Sequence, residues 1–271
     1  MGREWEHLQQ IGEIRIDICY LKLLETNSDP RRDLSNPANA LEARGNIGST
    51  VGLLEERGIK KFSKAVKGEC KKKRSVEQLV KRQDLAELYE SIKGDNKVNV
   101  GGTKHWKFPG TDAAYTTAEF YGCTIVIVVD GKGAIIGHYN QQSGNCEAMD
   151  SASEVKKSIT EKLANVLVEA DWDQNSMVYI IHTSGAKSVG VQAIEALLTG
   201  EGDLPKERIK QHRYLESSGV AEYKGKPKGK AVVQVTPHDD GTTLHLYIES
   251  DTPSYTAEYD KNGNLCTETI A

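Results

Sequence analysis

Hydrophobic positions in this chain follow two periods, and the change between them marks out its elements. The stretch 124–129 is β-branched throughout (Thr124-Ile-Val-Ile-Val-Val129), the composition of a strand buried on both faces. Asp130-Gly131 follows it, a strong hairpin turn signal, and a second apolar run leads to His138. Helical spacing then appears in 153–170, where Val155, Ile159, Leu163, Val166 and Leu167 form a stripe and Ser151 or Ser153 is the candidate cap. A buried strand is predicted at 177–182 and a helix at 189–198. Pro205 is well placed to open another helix, to about residue 215. Two hairpins close the chain. One pairs 231–236 with 242–250 across Asp239-Asp240-Gly241, and the other pairs 254–259 with 265–270 around Asn262-Gly263.

The first 110 residues read differently. They are polar and rich in lysine and arginine, with helical stretches at 47–67 and at 75–92, the latter capped by Ser75. Residues 94–110, with Gly101-Gly102 and Pro109-Gly110, read as a loop. The predicted organisation is a helical, basic amino-terminal region (1–110), serving as a pro-region or regulatory segment, and an α+β domain (111–271). The predicted fold class is α+β: a β-sandwich-like core of mainly antiparallel strands with flanking helices.

Turn length decides how the central hairpin uses its polar residues. A two-residue loop at Asp130-Gly131 sets Cys123 directly opposite His138. A four-residue loop, Asp130 to Gly133, moves the partner to Asn140 and leaves His138 on the diagonal. Side chains alternate with period two, so either register puts the thiol and the imidazole on one face. A three-residue loop would separate them. A thiol near an imidazole is a candidate nucleophile, because the thiolate is the reactive form and its free pKa is about 8.5. A small buried cysteine beside a hydrogen-bonded histidine is the plainer reading of the same residues.

Gly122-Cys123 opening a strand, with His138 fifteen residues on, resembles the thiol–histidine deamidases. That group includes the catalytic domains of cytotoxic necrotizing factors and the chemoreceptor glutamine deamidases. The Tyr121-Gly122-Cys123-Thr124 strand followed by His138-Tyr139 is also similar to uncharacterised fungal proteins. The resemblance implies a Cys–His amidohydrolase, foremost a protein glutamine deamidase. Cys123 would be the nucleophile, His138 the acid and base, and Thr117 the residue that orients the imidazole. Gly122, Tyr121, Thr124 and Asn140 would line the oxyanion site and pocket. The chain departs from the deamidases at Phe120-Tyr121, where smaller residues are usual, which bears on the substrate entrance. The implied partner is a protein presenting a glutamine side chain, and the chemistry needs no metal or organic cofactor. A transglutaminase, a cysteine peptidase, or a non-catalytic secreted effector or binding module of the same fold are the alternatives.

Composition narrows the setting. The chain has 271 residues, 27% charged and 38% hydrophobic, as a packed domain requires. Its net charge of −4 argues against a general nucleic-acid-binding surface. The basic run from Lys60 to Arg82 could meet an acidic surface, or be a solvated face. Its dibasic steps, Lys73-Arg74 and Lys81-Arg82, fit processing of a pro-region. No apolar run approaches the ~18–20 residues of a membrane span. The first thirty residues carry no typical leader. A secreted protein whose leader is removed and a cytoplasmic protein both fit. Five cysteines without C-x-x-C spacing make a structural zinc site a poor expectation. They fit two disulfides among Cys19, Cys70, Cys146 and Cys266, with Cys123 left as the reactive thiol, or five reduced thiols. His182 is a rival for the catalytic histidine. The loop from His182 to Ser188 lacks the glycines of a phosphate-binding loop, having Ile181 and Ala186 in their places. Asp171, Asp173, Asp239 and Asp240 read as turn residues.

Overall fold

The β-branched run does form a strand buried on both faces, and the molecule is layered around it. The computed structural model describes residues 61–70, 83–118, 120, 123–140, 152–169, 171–183, 189–214 and 225–271. All of them belong to one unit, Leu54–Ser143 with Glu147–Ala271. The helices are α1 (Leu85–Ser91), α2 (Ala152–Leu167) and α3 (Val189–Ala196), the last running into a wide turn at Leu197–Glu201. The strands are β1 (Lys97–Val98), β2 (Thr103–Lys107), β3 (Ala113–Ala118), β4 (Cys123–Val129), β5 (Gly133–Asn140), β6 (Met177–Thr183) and β7 (Ile209–Tyr214). β8 (Lys230–His238), β9 (Gly241–Ile248), β10 (Tyr255–Asp260) and β11 (Leu265–Ile270) complete the set.

Two sheets result, ordered β1-β3-β8-β9-β10-β11 and β2-β5-β4-β6-β7. Pairing is antiparallel except for β1 with β3 and β6 with β7, so the fold is α+β with two mixed sheets. Alternation sorts β4 between two cores. Cys123, Ile125, Ile127 and Val129 face the other sheet and pack with Val233, Leu246 and Tyr255. Val126 and Val128 face the helices, against Ile159, Leu163 and Ile194. Burying one such aliphatic side chain contributes roughly 1.5–3 kcal/mol, so a strand apolar on both faces holds its register firmly. On the far side, α1 covers Val232 and Tyr247.

Four expectations are corrected. Residues 61–67 are irregular apart from one bridge at Ser63, not helical; the rest of the 47–67 stretch lies outside the described residues. Phe62 fills the helix-side core, and Ser63 bridges Asp173, so tertiary contacts override a helical period there. The helix expected over 75–92 is described only as Leu85–Ser91, capped by Asp84 Oδ1, which accepts from the Glu87 N–H at 2.9 Å. Ser75 lies outside the described residues. The loop expected at 94–110 contains β1 and β2, and the flanking glycines hid the alternation of β2. The helix expected from Pro205 is a short 3-10 turn, Lys206–Arg208, followed by β7. The open side of β6 captures that segment as a parallel strand. β3 carried no sequence expectation. Described residues on both sides of residue 110 thus enter both sheets. The central hairpin, helices α2 and α3, β6 and both carboxy-terminal hairpins lie where the pattern put them, within a few residues.

Candidate active site

The hairpin turn sets the register. Asp130 Oδ1 accepts from the N–H of Lys132 at 2.7 Å and of Gly133 at 3.0 Å, and the Asp130 N–H reaches the Gly133 carbonyl at 3.2 Å. The loop is therefore the four-residue form. Cys123 pairs with Asn140 and Ile125 with His138. His138 sits on the diagonal from Cys123, on the same face, turned toward the other sheet. Diagonal neighbours have Cα atoms about 7–8 Å apart and Cβ atoms closer.

His138 is anchored on every side but one. Its carbonyl accepts from the Gly101 N–H at 2.7 Å, and its N–H donates to the Gly102 carbonyl at 2.9 Å. Gly101 has φ +82, a conformation that only glycine adopts freely. Gly137, its neighbour in β5, lies under the Tyr139 ring, so a side chain at 137 would collide with it. From the opposite sheet Thr117 brings its Oγ1 to 2.7 Å from His138 Nδ1. Thr117 donates its own hydroxyl hydrogen to the Val98 carbonyl at 2.9 Å. A hydroxyl has one hydrogen to give, so it accepts at Nδ1 and fixes the Nδ1–H tautomer. Nε2 is then a bare lone pair, buried and without a hydrogen-bond partner among the described residues. Burial lowers the His138 pKa to about 4, so the ring is neutral at ordinary pH.

Cys123 is buried and outside any disulfide. Its backbone N–H donates to the Tyr214 hydroxyl at 2.9 Å, and that hydroxyl donates to the Cys123 carbonyl at 2.8 Å. Phe120, wholly buried, lies 5.6 Å from the Tyr214 ring and 6.3 Å, edge-on, from the His138 ring. The sequence offered no signal for Tyr214 because its segment read as a helix end. Val98 was hidden inside an expected loop.

The structure brings Cys123, His138 and Thr117 to one end of the inter-sheet layer. Asn140 is the register partner of Cys123. Thr124, by alternation, belongs to the helix-covered face and away from the thiol. Tyr121 and Gly122 lie outside the described residues. His182 faces the helix side, so it does not share a face with Cys123. Asp173 serves its turn, accepting from the Asn175 N–H at 2.7 Å. Ser184 to Ser188 and most of the Lys60–Arg82 run are outside the described residues, as are Cys19 and Cys146. Cys70 and Cys266 form a disulfide. Among the described residues no group of side chains could hold a metal, and no helix is long and apolar enough to cross a membrane.

No family model and no curated protein matches the chain. Among solved structures it is similar to the C-terminal domain of CNFy from Yersinia pseudotuberculosis. The identity is 13% and the TM-score 0.26, over 59% of this chain and 53% of that one. The chain thus spans about half the length of that domain, and a likeness at this level settles neither fold nor chemistry.

Proposed function

We propose that the protein is a Cys–His amidohydrolase, foremost a protein glutamine deamidase acting through a thioester. One observation carries the reading. The Thr117–Val98 relay leaves the Nε2 lone pair of His138 bare, on the face and at the end of the sheet that hold the Cys123 thiol. A neutral imidazole of lowered pKa favours general-base attack over a standing thiolate–imidazolium pair. Nε2 takes the thiol proton as sulfur attacks the glutamine carboxamide carbon. The resulting imidazolium returns that proton to the departing ammonia, leaving a thioester. Water, deprotonated by the same nitrogen, then releases glutamate and the thiol. The Cys123 N–H is engaged by Tyr214, so oxyanion donors have to come from other groups, each contributing about 3 kcal/mol. An amine in place of water would make the same site a transglutaminase. The Cys70–Cys266 disulfide supports an oxidising, secreted setting.

A second reading has its own support. Cys123 is 2% exposed and His138 0%, as in a core that performs no turnover. Incubation with glutamine-containing protein and peptide libraries, read by mass spectrometry, separates the readings. The expected product is a side-chain amide-to-acid exchange that Cys123→Ser and His138→Ala abolish. Chain cleavage would mean a peptidase. No product at all, or one that survives Cys123→Ser, overturns the proposal.

A further inference from the structure

We infer that Tyr214 is a positioning residue for the Cys123 nucleophile; this rests on the reading of Cys123 given above. Ordinarily a residue in a central strand has its main chain fixed by ladders on both sides. Among the described strands, Cys123 is registered against β5. On the β5 side its partner is Asn140, while the register of β4 with β6 begins at Ile125↔Ile181 and does not reach it. Past that point β6 continues against β7, with Thr183 opposite Tyr214. From there the Tyr214 side chain returns to β4. Its hydroxyl accepts from the Cys123 N–H at 2.9 Å and donates to the Cys123 carbonyl at 2.8 Å. One phenol thus supplies both hydrogen bonds that a neighbouring strand would have given.

The consequence falls on the thiol. The backbone at 123 sets the directions open to Sγ, and the Tyr214 hydroxyl holds that backbone. The same ring presses on Phe120, which stands edge-on to His138. Tyr214 therefore ties the main chain of one partner to the wall behind the other, across 91 residues of sequence. Both of these hydrogen bonds go to the main chain of Cys123. The effect of Tyr214 is on how well sulfur and Nε2 are aligned, and small misalignments cost roughly a hundredfold in rate.

The test is Tyr214→Phe, which keeps the ring and its contact with Phe120. The readout is the pH dependence of Cys123 alkylation by a small iodoacetamide reagent, measured well below the unfolding temperature. Assisted by His138, the wild-type rate should be nearly flat from about pH 5 to 8, whereas in His138→Ala it should rise tenfold per pH unit as an ordinary thiol ionises. Tyr214→Phe is expected to adopt the steep profile, reacting roughly 10–100-fold more slowly than wild type at the acid end. Val235→Ala, a core truncation at the other end of the sandwich, should lose stability and keep the flat profile. A flat profile in Tyr214→Phe overturns the role of Tyr214 alone. So does a steep profile in Val235→Ala, because general loosening would then explain both. Indistinguishable profiles for wild type and His138→Ala overturn the nucleophile reading, and this role with it. Should Tyr214→Phe fail to fold, amide exchange in the wild-type chain decides: a Cys123 N–H that exchanges as fast as an exposed amide overturns the clamp.

Discussion

Two buried histidines flank the same central strand and have opposite fates. His138 on β5 and His182 on β6 stand at the same end of the five-stranded sheet, on either side of β4. His138 faces the second sheet, has Nδ1 fixed by Thr117 and keeps Nε2 without a partner among the described residues. His182 faces the helices and meets an oxygen at each ring nitrogen. The Thr183 carbonyl is 2.9 Å from Nδ1, and the Gln211 amide oxygen is 3.3 Å from Nε2. Gln211 is itself held, donating to Glu195 at 2.7 Å. Burial and residue type are alike in the two. What differs is whether each ring nitrogen meets a partner among the described residues, and under the proposed function the proton moves at the one left open.

The largest effect should come from deleting each ring in turn. His138→Ala is expected to slow glutamine turnover by about a thousandfold. His182→Ala should leave the rate of the folded protein within a fewfold, at some cost in stability. Equal losses of rate in the two variants would break the comparison.

Acid titration comes next. The His138 pKa drops from 6.5 to about 4 on folding. The unfolded chain then binds the extra proton between those values, so this contribution is whole above about pH 6.5 and lost as pH falls toward 4, by about 3 kcal/mol. Asp130 acts with the opposite sign. Its carboxyl, buried in the hairpin turn, rises from 3.8 to about 7. Its contribution is whole below about pH 4 and lost as pH rises through 7, so it offsets the histidine over the shared window. Urea unfolding across the range should show a gain with pH in Asp130→Asn, where the histidine acts alone, and a loss with pH in His138→Leu, where the aspartate acts alone. A wild-type profile retained in His138→Leu and altered in His182→Leu would reverse the assignment.

Smallest is the effect of the anchor. Thr117→Val keeps the shape and removes the acceptor at Nδ1, and should lower turnover by roughly 10–100-fold with little change in KM. Nitrogen NMR of the His138 ring is the direct check, since the bare Nε2 signal should broaden or shift as the tautomers mix. An unchanged ring spectrum in Thr117→Val would remove Thr117 from the account.

Much of the fold could be read along the chain because burial on both faces leaves a strong period. The run from Thr124 to Val129 and the stripe of α2 needed no partner to be recognised. Segments with mixed signals were misread. β2 is short and enclosed by glycines, and β7 carries Lys210, His212 and Arg213 in a pattern that also suits a helix turn. Their conformation is set by the strands they join, β5 and β6, rather than by their own residues. The site divides in the same way. Cys123 and His138 share a hairpin, so local alternation was enough to put them on one face under either even loop length. The form of the turn was fixed by Asp130 accepting from Lys132 and Gly133.

By itself, then, the sequence determined two central strands and the parity of their side chains, which puts Cys123 and His138 on one face. The tertiary structure decided what surrounds that pair. Thr117 arrives from the other sheet, Val98 from a two-residue strand beside it, and Tyr214 from two strands away. Period two specifies which way a side chain points and says nothing about what lies across the gap. That is decided only when both sheets close over their shared apolar layer, bringing Thr117 to His138 across 21 residues of sequence, and when β7 joins β6, bringing Tyr214 to Cys123 across 91.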